Sequence, residues 1–260
     1  MRRQSSMDIS RCRRRVISHA LLAMVTLLPA SATAGTFHAN FNSGRLDAWR
    51  ELQGNGRMDE EADWFTRDGA LVSSSEGICE FSSTFGVGNQ SWRNYEFQSR
   101  MRIERANLNA ACALPSWVGM AVRCDDVDGA FTCINFGMWT FGGPWTAVHW
   151  DVFLAGGISS GDCPKPVIIS EDVWYDIVIA AEGDRIVLHI DGEQTCEISV
   201  VRPEAGGIGF QARNVEVQFD DVVVTGDGLS VDAGERLVTA WADVKRDMEP
   251  TPSWTPVESR

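Results

Sequence analysis

The chain has 260 residues, 44% of them hydrophobic and 23% charged, an ordinary globular composition at a length one all-β domain can use. Its formal net charge is −13; without residues 1–34 it loses six Arg and one Asp, leaving 17 basic against 35 acidic residues, or −18. Such a surface repels phosphate backbones and anionic lipid, so neither nucleic acid nor the membrane surface is an expected partner.

The N-terminus reads as a targeting segment. Arg11, Arg13, Arg14 and Arg15 precede an apolar run from Val16 to Leu28, and Ala32-Thr33-Ala34 supplies small residues for cleavage before Gly35. Residues 1–34 are expected to be a signal peptide, removed near Ala34, with the mature chain secreted or periplasmic. The Arg13-Arg14 pair keeps twin-arginine export open beside the favoured reading of an ordinary basic segment. The apolar run falls short of the roughly 20 residues a helical span needs, so no membrane span is expected. Cys12 leaves with this segment. Cys79, Cys112, Cys124, Cys133, Cys163 and Cys196 remain, an even number that in an exported chain points to as many as three disulfides. Their pairing stays open, and the absence of any CxxC spacing argues against a zinc site.

In the mature chain, WFTRDGALVS (64–73) is a hairpin with Asp68-Gly69 at its tip, and Ile78–Phe85 is a candidate strand. Tyr95–Arg105 alternates cleanly. Phe97, Met101 and Ile103 face one way, and Glu96, Gln98, Arg100, Arg102 and Glu104 the other; Ser99 is the one polar residue on the inner row. WVGMAVRC (117–124) and FTCINFGMW (131–139) flank Asp128-Gly129. A two-residue loop there would mix their faces. An odd loop instead groups Val118, Met120, Val122 and Cys124 with Ile134, Phe136 and Met138, and Trp117, Gly119, Ala121 and Arg123 with Asn135, Gly137 and Trp139. In that register Cys124 and Cys133 point to opposite faces and do not bridge. TAVHWDVFL (146–154) adds an apolar row of Val148, Trp150, Val152 and Leu154; its other row holds His149 and Asp151, with Trp145 just before.

Residues 172–225 read as five short strands with turns at Glu182-Gly183-Asp184, Asp191-Gly192 and Ala205-Gly206-Gly207. An odd loop is expected at Asp191-Gly192 too, because it places Ile186 and Leu188 on the face of Cys196 and Ile198. A jelly-roll domain is thus expected over residues 35–228, followed over 229–260 by a short helix (Leu237, Trp241, Val244) and a flexible Pro-containing tail.

The order FxxNF, WFTRDGALV, NYEFQSRMRIE, VGMAVRCDD, VWYDIVIAAEGDRIVLHIDG and GGIGFQARNVEVQFDDVVV resembles the concanavalin A-like jelly rolls of bacterial exported proteins, the laminin-G-like and 3-keto-disaccharide hydrolase-like domains often labelled family-sixteen-glycosidase-like. The resemblance covers about residues 36–225. It implies an all-β sandwich of two antiparallel sheets and carbohydrate bound or processed on the concave sheet. It also implies that the Arg ending a GxxxR strand, here Gly119 to Arg123, faces that groove. The ExDxE-type run of family-sixteen glucanases, whose alternate carboxylates act as nucleophile and acid/base, is absent. So are the RxExR and YFKxG patterns of jelly-roll alginate lyases.

The candidate ligand-binding face therefore comprises Trp117, Arg123, Asn135, Trp139, Trp145, His149 and Asp151, with Gln98, Arg100 and Arg102 as its extension. Trp offers a flat apolar face to a pyranose ring, while Arg and Asn offer donors to sugar hydroxyls. His149 and Asp151, two apart on one face, are the catalytic candidates if the chain is an enzyme. Asp220 and Asp221 near a strand end are candidates for a structural calcium ion, although no ligand spacing specifies one and no cofactor is required. Carbohydrate binding is the leading expectation. A glycoside hydrolase or lyase and an extracellular adhesion module without a sugar ligand are the alternatives.

Overall fold

Strands whose side chains alternate apolar and polar must bury one face, and two such sheets bury each other. The computed structural model, which describes residues 35–52, 63–76, 79, 84–127, 130–140, 147–154, 157–227 and 229, takes this form. Fifteen strands follow in order: β1 (Gly35–Ala39), β2 (Arg50–Leu52), β3 (Asp63–Arg67), β4 (Ala70–Ser74), β5 (Thr84–Val87), β6 (Tyr95–Ala106), β7 (Ser116–Val127), β8 (Ala130–Thr140), β9 (Ala147–Leu154), β10 (Gly157–Asp162), β11 (Trp174–Glu182), β12 (Arg185–Ile190), β13 (Glu193–Ser199), β14 (Gly207–Arg213) and β15 (Val215–Gly226). They pair antiparallel into two sheets. The first has the order β13-β12-β11-β6-β15-β4-β3, with β1 also on β15; the second has the order β10-β9-β8-β7-β14-β5-β2. No helix occurs among the described residues, and the arrangement is a jelly-roll sandwich. The signal segment, the helix expected near Leu237 and the tail lie outside the described residues, as do Trp145 and the Asp128-Gly129 turn.

The core forms where the inner rows meet. Phe97, Met101 and Ile103 of β6 are buried against Met120, Val122, Ile134 and Phe136 of the other sheet and against Phe210 and Phe219, whose rings stack 4.1 Å apart. Ser99 is explained by its neighbour strand. The register of β15 against β6 shifts between Asp220 and Val223, and Ser99 Oγ donates to the freed Asp220 carbonyl at 3.0 Å. At that irregularity Asp220 Oδ1 accepts from the Asp221 N–H at 2.7 Å, and the Asp221 carboxylate lies 3.5 Å from Arg100 Nη1. These are the two residues considered for calcium; among the described residues no three His, Cys, Asp or Glu side chains converge as a metal would require.

The face assignments of β7 and β8 hold, but by a different device from an odd loop. Val127 pairs with Ala130, so an even number of residues separates the paired strands, and the register shifts further along, between Val122 and Asp125. A β-bulge therefore supplies the extra residue that the side-chain pattern demands. The hairpin of β12 and β13 does the same. Ile190 pairs with Glu193 around Asp191-Gly192, both at positive φ (49° and 76°), and the shift falls between Leu188 and His189.

The β7 bulge overturns two expectations. Arg123 adopts φ 54° and leaves the outer row; its side chain is 1% exposed. Its guanidinium donates to the Pro203 carbonyl (3.1 Å) and the Gly183 carbonyl (2.6 Å), and its backbone N–H donates to Tyr95 Oη at 2.7 Å. Cys124 is swung round with it, onto the same buried cluster as Cys133, Ala121 and Phe153. The two cysteines are therefore neighbours, not residues on opposite faces.

Two disulfides tie the periphery. Cys163–Cys196 links the end of β10, an edge of one sheet, to β13, an edge of the other. Cys79–Cys112 anchors the loop between β6 and β7. Each closes a separation of 33 residues, a loop for which chain-entropy arguments assign about 3–4 kcal/mol.

The Tyr95 hydroxyl also lies 3.0 Å from the carbonyls of Gly206 and Gly207. Tyr95→Phe leaves the buried Arg123 N–H without its acceptor. It is expected to lower unfolding free energy by about 1–3 kcal/mol in urea denaturation, with the fold retained.

Candidate functional site

Pairing across the second sheet arranges its outward side chains in rows. Gln211 of β14 aligns with Gly119 (β7), Gly137 (β8), His149 (β9) and Asp162 (β10). One step along each strand pair toward the bulge, Gly209 aligns with Ala121, Asn135, Asp151 and Ser160. In the other direction Arg213 aligns with Trp117 and Trp139. The middle of the first row carries no side chain, and the flanking residues fill it. The Trp117 ring lies over Gly137, where a Cβ would come within 1.8 Å of it, and the Asn135 amide lies over Gly119, 2.5 Å from where a Cβ would be. A Cβ at Gly137 would displace the Trp117 ring, and one at Gly119 would displace the Asn135 amide.

This face lines a cleft of about 580 Å³. Trp117, Trp139, Leu114, Pro115, Phe153 and Ile158 give it apolar walls, and His149, Asp151, Ser160, Asp162, Gln211 and Arg213 supply polar groups. The volume and the mixture suit a small organic ligand with many hydroxyls. Below the walls, Asn135 is fully buried; its Nδ2 donates to Gln211 Oε1 (2.8 Å), and Gln211 Nε2 donates to Thr84 Oγ1 (2.7 Å). Asn135 thus fixes the floor and does not itself line the cleft.

At one wall His149 stands between two carboxylates. Its Nδ1 is 2.8 Å from Asp162 Oδ1 and its Nε2 is 3.5 Å from Asp151 Oδ1, while its ring meets Trp117 edge-on at 6.2 Å. Burial holds the Asp151 carboxyl above the usual aspartate range, and the nearby charges of His149 and Arg213 only partly offset it. Arg213 faces the same space. Burial pushes it down to about 10 against the pull of Asp151, so it remains a cation at neutral pH. Its Nε donates to the Pro115 carbonyl at 2.9 Å, and its guanidinium lies 5.9 Å from the Trp117 ring.

Of the residues singled out from sequence, Trp117, Trp139, His149 and Asp151 meet in the cleft, and Asn135 supports it. Arg123 lies elsewhere, bound to the carbonyls of Pro203 and Gly183. Gln98, Arg100 and Arg102 belong to the opposite sheet, on its outer face. There the Arg100 and Arg102 guanidinium groups sit 4.9 and 5.0 Å from the Trp174 ring, and Arg102 donates to Glu104 and Gln218. They form an ion-paired surface separate from the cleft. The arginine of the cleft is Arg213, in GIGFQAR. Period-two alternation of Ile208, Phe210 and Ala212 against Gln211 and Arg213 carries that signal. Ser160 and Asp162 lie on an edge strand without an apolar row, where no pattern points to them.

The Asp151 shift has a direct consequence. A carboxyl raised in the folded state adds stability below its ordinary value of 3.8 and loses that contribution as pH rises through its folded value. Asp151→Asn is therefore expected to raise Tm at pH 7 and to leave it nearly unchanged at pH 3; a lowered Tm at pH 7 contradicts the burial argument.

Comparison with known proteins agrees with this architecture. The carbohydrate-binding module CBM66 from Bacillus subtilis superposes with a TM-score of 0.51 at 16% identity, covering 67% of this chain and 93% of that one. SCLam, a non-specific endo-beta-1,3(4)-glucanase from family GH16, gives 0.53 at 14%, covering 75% and 91%. The CBM2 module of the evolved Dit of Lactobacillus casei BL23 phage J-1 gives 0.51 at 12%, covering 76% and 97%. At these identities the likeness is one of fold. No curated protein matches the sequence. Residues 36–225, nearly all the described sandwich, match one domain family, and the chain belongs to it: the 3-keto-alpha-glucoside-1,2-lyase-like domains.

Proposed function

We propose that this chain is an exported carbohydrate-binding domain that holds an oligo- or polysaccharide in the cleft over β7, β8, β9, β10 and β14. The observation that carries the reading is the pair Trp117 and Trp139, aligned on neighbouring strands in the same cleft as His149, Asp151, Asp162 and Arg213. An indole face stacks on the C–H face of a pyranose, and the charged groups accept from and donate to its hydroxyls. The two disulfides fit an oxidising compartment outside the cytoplasm. The chain's affinity for glycans is tested on a glycan array, followed by calorimetry with the sugar that binds. Trp117→Ala is expected to weaken binding by about tenfold, the scale of one lost aromatic stacking contact, with an unchanged circular dichroism spectrum. Absence of binding by the wild type, or equal binding by the variant, overturns the reading.

A second reading, a glycoside hydrolase or lyase, is favoured by one observation: Asp151 is a raised carboxyl beside an imidazole inside the cleft. On that reading Asp151 donates a proton to the departing oxygen and His149 positions it. Reducing-sugar release from 3-keto-disaccharides and polysaccharides is then expected from the wild type and lost in Asp151→Asn. Turnover that survives both Asp151→Asn and His149→Ala removes these residues from the chemistry.

A further inference from the structure

Cys124 and Cys133 are the described cysteines outside the two disulfides, and the β7 bulge brings them together. Two residues of β7, Arg123 and Cys124, oppose the single residue Cys133 of β8, because pairing resumes at Val122 with Ile134 on one side and at Asp125 with Thr132 on the other. The sulfur atoms lie 2.6 Å apart, and both side chains are buried, 2% and 0% exposed. Unbonded sulfurs repel strongly at that separation, whereas an S–S bond brings them to about 2.05 Å. Leu52, Ala121, Phe131 and Phe153 share the cluster, and among the described residues no group of three His, Cys, Asp or Glu side chains gathers there as a metal would require.

The geometry points to a third disulfide, Cys124–Cys133, that staples β7 to β8 at the bulge. Its formation needs only exchange with a disulfide donor, a thiol–disulfide oxidoreductase or oxidised glutathione. One cysteine thiolate attacks the donor disulfide and forms a mixed disulfide. The second cysteine, as thiolate, attacks the protein sulfur of that bond, and the donor leaves as its reduced dithiol or as two thiols. The two cysteines together give up two electrons and two protons, which the donor receives. The bridge covalently fixes the strand irregularity that turns Arg123 away from the cleft, and it lies in the same cluster as Phe153, one of the cleft's walls.

The test is peptide mapping of wild-type chain refolded in a glutathione redox pair. The folded protein is denatured without reductant in N-ethylmaleimide and cleaved by an Asp-specific protease, which cuts between the two cysteines at Asp125, Asp126 and Asp128. The peptides carrying Cys124 and Cys133 are expected as one species, unmodified by maleimide, that separates only after reductant is added. Maleimide on both cysteines overturns the proposal, and so does either cysteine linked to any partner other than the other. Because the reading uses wild-type protein, it does not depend on a cysteine variant folding.

Discussion

The β-bulge at Arg123 and Cys124 sets what the rest of the second sheet presents. Without it, a two-residue turn between β7 and β8 would slip one strand by a residue and mix apolar with polar side chains on both faces. With it, Val118, Met120 and Val122 enter the core alongside Ile134, Phe136 and Met138, and Trp117, Gly119 and Ala121 face outward beside Asn135, Gly137 and Trp139. Holding a non-glycine residue in the left-handed region costs on the order of 1 kcal/mol or more. Here that cost is offset by three hydrogen bonds from Arg123, to Tyr95, Pro203 and Gly183. Tyr95 belongs to the first sheet and Gly183 to the turn between β11 and β12, so the bulge also locks one sheet to the other.

The cleft follows from that registration. Two glycines in one row leave space that the Trp117 ring and the Asn135 amide occupy, and Asn135 is tied in turn to Gln211. The walls then combine apolar surface with a short chain of ionisable groups, Asp162, His149, Asp151 and Arg213, reaching across the sheet. Water is partly excluded from Asp151, and its raised carboxyl reports that exclusion. A ligand with apolar ring faces and many hydroxyls matches both features, whereas a large apolar ligand would strip water from the carboxylates and offer them no hydrogen bond in return.

Period-two alternation made most of the fold legible. The two faces of β6, the rows of β7, β8 and β9, and the Asp68-Gly69 and Asp191-Gly192 turns all follow from side-chain order. The position of an inserted residue does not, because a loop residue and a bulge residue correct the register equally well. That ambiguity is why the sequence alone puts Arg123 on the outer row and Cys124 and Cys133 on opposite faces. Alternation also tells that Gln98, Arg100 and Arg102 face outward, but not from which sheet. Arg213 is harder to place: GGIGFQARN reads as a strand closing the core, and only the alternation of Gln211 and Arg213 against Ile208, Phe210 and Ala212 puts it on the outer row. Asp162 sits on an edge strand with no apolar row, so only the pairing of β10 with β9 brings it to His149.

Indole N–H resonances followed during a glycan titration of the folded protein show whether the sugar sits over Trp117 and Trp139. The Trp117 and Trp139 signals are expected to shift together and saturably while Trp174, on the opposite sheet beside Arg100 and Arg102, stays fixed. Movement of Trp174 with Trp117 and Trp139 unchanged would contradict a glycan site on that face.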